Sequence, residues 1–410
     1  MLRANLFGGV VTACLASLSF AGEPASAQQI SGDVVKIGVL TDMSSIYADF
    51  GGRGSVTAAQ MAIEDFGGNV AGKRIELIFA DHQNKADIGS NIARQWMDQE
   101  GVDAIVDLPN SGVALAVQQL AKERGKVLLI TSAVSSDITG KSCTPTSVHW
   151  TYDTYSLAQG TGTAVVQQGG DSWFFITADY AFGHALERDT GRVVTNAGGK
   201  VLGSVRHPLS TPDFSSFLLT AQSSRAKVVG LANGGGDMIN AIKQAAEFGI
   251  VSGGQRLASL LIYINDVHSL GLKTAQGLVL TSPFYWDQTE DTRAWSKRFL
   301  ERQKIVPSMV QGGVYGAITH YLKAIAATSS DDGPAVTAKM REMPINDFMT
   351  KNGTLRVDGR VVRDMYLFEV KSPAESKYDY DYYKQLAVIP GEKAFRPLSQ
   401  SECPLVPKGG

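Results

Sequence analysis

Cysteine is scarce in this chain, three in 410 residues. That is too few for a disulfide-built scaffold or for a Cys-rich zinc or iron–sulfur centre. Charge of one sign is lacking too: 38 Lys and Arg against 40 Asp and Glu leave a net −2. With no Lys/Arg run, the basic surface that nucleic-acid binding requires is absent. No stretch reaches the roughly 18 apolar residues of a membrane-spanning helix. The six histidines (His82, His149, His184, His207, His268, His320) show no metal-binding spacing. There is no Gly-x-Ser-x-Gly elbow for a serine hydrolase. No Gly-x-Gly-x-x-Gly follows the first strand, and Gly234-Gly235-Gly236 lacks the Gly-Lys-Ser/Thr ending of a phosphate loop. No cofactor and no metal is therefore expected, and the chain reads as a binder of its ligand, not an enzyme.

What is present begins with a leader. Arg3 precedes an apolar run from Leu6 to Phe20, and Ala25-Ser26-Ala27 offers a small-x-small cleavage site. This is the layout of a secretory signal peptide over residues 1–27, which marks the mature protein for export. Removing it discards Cys14 and leaves Cys143 and Cys403. An even count in an exported protein suggests a disulfide, with two buried free thiols as the alternative.

The remainder is α/β. Val34–Leu40, Ile75–Ala80, Ala104–Leu108 and Val127–Thr131 read as strands. Between them, Ser55–Phe66, Ile88–Gln99 and Val113–Arg124 carry apolar residues at helical spacing. Strands alternating with helices of a dozen residues mean parallel βαβ units. The rhythm pauses over 144–155 and restarts. Strands are then expected at Ser172–Thr177, Val201–Val205, Val228–Ala232 and Leu257–Ile264, with helices at Leu157–Gln168, Gly183–Ala197, Phe214–Ser223 and Asp237–Phe248. Two such sets suggest two doubly wound, Rossmann-like lobes. Asp358-Gly359 then carries hairpin chemistry, followed by extended segments at Val361–Val370 and Gln385–Ile389.

In open α/β sheets, ligands bind beyond the carboxyl ends of the strands. In the first set those loops are rich in hydroxyls and run into helix N-termini, which suits a carboxylate. Taken alone, Ser111 and Ser135 are as readily helix N-caps. In the second set the loops are aromatic with one acid, Asp237, which is able to cap its helix or to pair an ammonium.

Tyr47-Ala48-Asp49-Phe50-Gly51, Ile130-Thr131-Ser132-Ala133, Asp179-Tyr180-Ala181-Phe182-Gly183 and the Asp237 helix with Lys243-Gln244-Ala245 resemble the leucine/isoleucine/valine-binding protein family. These are type I periplasmic solute-binding proteins of hydrophobic amino-acid ABC importers. The resemblance implies two lobes joined by a three-crossover hinge, with 30–153 and 264–347 as lobe I, 154–263 and 348–390 as lobe II, and 391–410 as a C-terminal tail. It implies that Ser111, Ala133 and Ser135 hold the ligand's carboxylate, that Phe50 packs on its side chain, and that Asp237 binds its ammonium; Tyr47, Trp150, Tyr152, Phe182 and Phe284 are the other expected ligand-binding residues. The expected ligand is a branched-chain or other hydrophobic amino acid, delivered to an inner-membrane permease and its ATPase subunits by a monomeric receptor. Asp237 is one methylene shorter than the family's Glu. Together with the crowding of Phe50, Trp150, Tyr152, Phe182, Phe284, Tyr285 and Trp286, it makes an aromatic acid of the hydroxybenzoate or cinnamate type the alternative ligand. A ligand-sensing receptor on the same fold is the other.

Overall fold

The computed structural model describes residues 30–407 together with Met1, Leu2 and Ala4. Apart from those three, the expected leader with Cys14 lies outside the described residues. The first lobe starts β1 (Val34–Thr41), α1 (Gly52–Asp65), β2 (Asn69–Val70), β3 (Lys73–Asp81), α2 (Ala86–Asp98) and β4 (Ala104–Asp107). It goes on through α3 (Ser111–Glu123), β5 (Val127–Ile130) and β6 (Ser147–His149). The sheet order is β2-β3-β1-β4-β5-β6, parallel except for the short β2–β3 hairpin. β4 and β5 are buried along their whole length, which is why they read as unbroken apolar runs and not as alternation.

The chain then crosses to the second lobe. Here lie α4 (Thr154–Leu157), a π-turn over Ala158–Gly162, and α5 (Thr163–Gln167). β7 (Ser172–Ala178), α6 (Ala181–Asn196), β8 (Lys200–His207), α7 (Ser215–Ser223) and β9 (Val228–Ala232) follow. α8 (Gly236–Glu247), β10 (Arg256–Ser259), α9 (Ile264–Leu270), α10 (Leu272–Ala275) and β11 (Val279–Ser282) complete the run. Its parallel sheet is ordered β10-β9-β7-β8. Gly160 marks the π-turn, where an added Cβ would lie 2.1 Å from the Thr281 hydroxyl oxygen.

A second crossing returns the chain to the first lobe as α11 (Glu290–Gln303), α12 (Met309–Thr328), α13 (Gly333–Glu342), β12 (Thr354–Leu355) and β13 (Val361–Val362). A third leads into β14 (Met365–Val370) and β15 (Tyr383–Ile389), and the chain ends through α14 (Gly391–Ala394). β14 pairs antiparallel with both β11 and β15. This pairing moves two expected boundaries. Residues 264–282 belong with the second lobe, because Ile264, Val267, Leu278 and Leu280 share a core with Ile176 and Phe368. Residues 348–362 stay with the first: Arg360 bridges to His149, and β12 contacts α13. The strand expected over Leu257–Ile264 stops at Ser259; Tyr263 starts α9 instead, its backbone N–H donating to Asp266 Oδ2 at 2.9 Å.

Cys143 and Cys403 form a disulfide across 260 residues of sequence. In the chain-entropy model a loop of that length stabilises the fold by about 5 kcal/mol. Among the described residues no helix is long and apolar enough to cross a membrane.

Candidate functional site

Two buried acids shape the first lobe's loops. After β1, the Asp42 carboxylate accepts the backbone N–H of Ser45 and of Tyr47, each at 3.0 Å, and so folds the loop that carries Tyr47. At the end of β4, Asp107 (φ +90°) and Leu108 (φ +59°) both adopt left-handed backbone. The Asp107 carboxylate takes hydrogen bonds from the Thr131 and Ser132 hydroxyls, and burial pushes its pKa up. Strain of this kind is sustained only where surrounding contacts over-determine it.

The true cap of α3 is Asn110, whose side chain accepts from Gly112 N (2.7 Å) and Val113 N (3.1 Å). Ser111, the next residue, uses its Oγ to accept from Val134 N at 3.2 Å and Ser135 N at 3.1 Å. Ser135 Oγ accepts from Asp137 N at 3.3 Å, capping a short 3-10 turn. Both hydroxyls act only as acceptors in these bonds, so each retains a hydrogen to donate. The Ala133 carbonyl accepts from His149 Nε2 at 2.7 Å.

The two lobes meet across these loops. Tyr47 OH pairs with Tyr180 OH, and Tyr152 OH with Tyr263 OH, each at 2.5 Å. Phe50 stacks on Tyr263 with centroids 4.2 Å apart. Burial drives all four phenols well above their ordinary pKa, so they are neutral hydroxyls. Gly236 N donates to Ile46 O at 3.2 Å across the interface. Gly235 (φ +57°) permits this approach, since a Cβ there would lie 2.5 Å from Ile46 O. The Gly234-Gly235-Gly236 run thus serves as a point of close contact between lobes. Between them remains a cavity of about 10 Å³, lined by Tyr47, Phe50, Tyr180, Phe182 and Tyr263 with Pro109, Val134, Gly234 and Leu261. That is room for about one water, so the lobes stand closed.

Of the residues expected at the site, the structure brings Tyr47, Phe50 and Phe182 onto this cavity, and Tyr152 to its edge through Tyr263. Ser111, Ala133 and Ser135 cluster beside it with Val134. Three others are not brought there. Trp150 packs against His320 (5.5 Å) under the Arg363 guanidinium (5.3 Å), in space that Gly316 of α12 leaves open. Phe284 packs edge-on to Trp295 and Phe348 at 6.2 and 5.9 Å. Asp237 is buried behind the site. Its carboxylate accepts from Ser210 N (3.1 Å) and Thr211 N (2.9 Å) and does not line the cavity. Burial raises its pKa to about 6, partly offset by those two bonds. Tyr180 and Tyr263 are not among the expected site residues. Tyr180 stands beside Phe182, where Gly183 lets α6 begin hard against the Ala178 carbonyl, 2.0 Å from an added Cβ. Among the described residues no group of three or more His, Cys, Asp or Glu side chains could hold a metal ion.

Two α/β lobes, three crossovers and a closed aromatic cleft describe a solute-binding protein. Residues 34–377 match the periplasmic binding protein family, and the chain belongs to it. A periplasmic binding protein from Burkholderia mallei is 54% identical, covering 91% of this chain and 99% of its own, with a TM-score of 0.90. A branched chain amino acid ABC transporter periplasmic ligand-binding protein from Burkholderia xenovorans is 42% identical, covering 91% of this chain and 100% of its own, with a TM-score of 0.81. Leu/Ile/Val-binding protein homolog 6 of Brucella melitensis is 25% identical over 386 residues, 88% of this chain and 94% of that protein. The chain is thus a solute-binding component of an ABC transporter, in a family of binding proteins and not of enzymes.

Proposed function

We propose that the solute is an apolar carboxylic acid with a flat aromatic ring and no amine, of the hydroxybenzoate or cinnamate type. One observation carries this reading: five aromatic rings line the cleft while Asp237, the acid expected for an ammonium, is held by two backbone amides away from the cavity. Opening separates Phe50 from Tyr263 and admits a ring between them. The carboxylate is taken by the Ser111 hydroxyl at the start of α3, where the helix dipole favours an anion, and by the Ser135 hydroxyl beside it. The Tyr47, Tyr152, Tyr180 and Tyr263 hydroxyls, paired with one another in the closed form, turn to polar substituents of the ring. Closure around the solute stabilises the loaded state because both lobes contact it only then. The protein is exported by its leader, acts as a monomer in the periplasm, and delivers its solute to an inner-membrane permease with ATPase subunits.

A thermal-shift panel on solute-stripped protein tests this reading. Binding raises the melting temperature by mass action. Benzoate, 4-hydroxybenzoate and cinnamate are expected to raise it, and leucine, isoleucine and valine to leave it unchanged. The reverse pattern returns the ligand to the branched-chain amino acids named for the Burkholderia xenovorans protein.

A further inference from the structure

The C-terminal residues connect the lobes independently of the three crossovers. β15 ends in the second lobe at Ile389, and the chain proceeds through α14 to Phe395, buried under the Arg360 guanidinium at 4.8 Å. It then reaches Cys403, whose disulfide partner Cys143 lies between β5 and β6 in the first lobe. Both cysteines are buried.

Along this path Arg396 meets a buried polar network at the lobe interface. Arg396 Nη2 lies 3.4 Å from Asp189 Oδ1, and its guanidinium sits 5.1 Å over the Tyr155 ring. Asp189, on α6 of the second lobe, is only 2% exposed. Its Oδ2 accepts from Ser136 Oγ in the first lobe and from Thr154 Oγ1 at the crossing, each at 2.6 Å. Its neighbour Arg188 donates to Ser136 Oγ at 2.9 Å and pairs with Asp137 at 3.1 Å. Ser136 and Asp137 directly follow Ser135. Two arginines and one buried acid thus tie the second lobe to the loop beside the cleft, and one of those arginines belongs to a segment bonded covalently to the first lobe.

We propose that residues 390–407 form a covalent strap across the hinge which, through Arg396 and Asp189, biases the solute-free protein toward closed lobes and fixes the Ser135–Asp137 loop in its closed position. Opening carries Ser136 and Asp137 away from α6 and breaks the charge-assisted bonds to Asp189 and Arg188. Losing one such bond shifts the closed-to-open ratio by about 10- to 100-fold. The strap acts whatever the solute, so its test needs none.

The experiment compares full-length, solute-stripped wild type with Arg396→Gln, Asp189→Asn and the double variant Cys143→Ser/Cys403→Ser. Small-angle scattering gives the radius of gyration, and hydrogen exchange reports on Ser135–Asp137. A compact chain of this length has a radius of about 21 Å. Wild type is expected at that value. Each variant is expected to be larger, with loop exchange faster by about 10-fold or more. Circular dichroism identifies any variant that fails to fold; Arg396→Gln, the mildest change, then carries the comparison. Wild type and variants sharing one radius and one exchange rate, or solute-free wild type already as expanded as the variants, overturns the proposal.

Discussion

Asp237→Asn separates the two classes of solute and tests the electrostatics of the site together. In the folded protein the Asp237 carboxylate is buried, with a pKa raised from 3.8 to about 6. The folded state therefore holds this proton more tightly than the unfolded chain. Its contribution to stability is full below pH 4 and is lost as pH rises through 6. The full difference is about 3 kcal/mol, of which about 2 falls between pH 4.5 and 7.5. Asn keeps one carbonyl acceptor for the Ser210 or Thr211 amide and gives up the other, a cost of about 1 kcal/mol that does not vary with pH. Urea unfolding of both proteins at the two pH values is expected to show the variant gaining about 2 kcal/mol relative to wild type at pH 7.5. A difference independent of pH would refute the burial argument. Calorimetry on the same variant reads the solute. An aromatic acid without an amine should bind within about 1 kcal/mol of wild type. An amino acid whose ammonium paired with Asp237 would lose about 3–5 kcal/mol, more than 100-fold in Kd.

Three further outcomes follow from the geometry. Gly235→Ala puts a Cβ 2.5 Å from Ile46 O at φ +57°; solute affinity should fall by about tenfold or more, read by calorimetry, while circular dichroism stays that of wild type. Phe50→Ala removes the ring stacked on Tyr263 and should destabilise the protein by about 3–5 kcal/mol in denaturant unfolding, besides weakening an aromatic solute. Cys403→Ser opens the 260-residue loop and should lower stability by up to about 5 kcal/mol, with the same loss in wild type on reduction.

Much of the fold is legible in the sequence because βα periodicity is local: β1, β3, β4 and β5 and their helices lie where the apolar pattern places them. The misses share a cause. β6 is three residues long and has too little pattern to detect. β11 joins the second lobe through antiparallel pairing with β14, some ninety residues on, and spacing along the chain cannot report that. At the site, Phe50 and Phe182 are legible from loops that follow strands. Trp150 and Phe284 come from equally aromatic segments but face α12 and α11. Tyr263 escapes because the apolar run extends the expected strand through it; the Asp three residues on is the helix-start feature that marks it. Asp237 stands out as an acid opening a helix, yet its partners Ser210 and Thr211 are set by a loop 26 residues away.

Isothermal titration of solute-stripped protein with 4-hydroxybenzoate and, separately, with leucine tests the central claim most directly. Saturable binding of the aromatic acid at one site per chain, abolished or strongly weakened by Ser111→Ala and by Phe50→Ala, with no heat from leucine, is the predicted result. Saturable binding of leucine with none of the aromatic acid would contradict it.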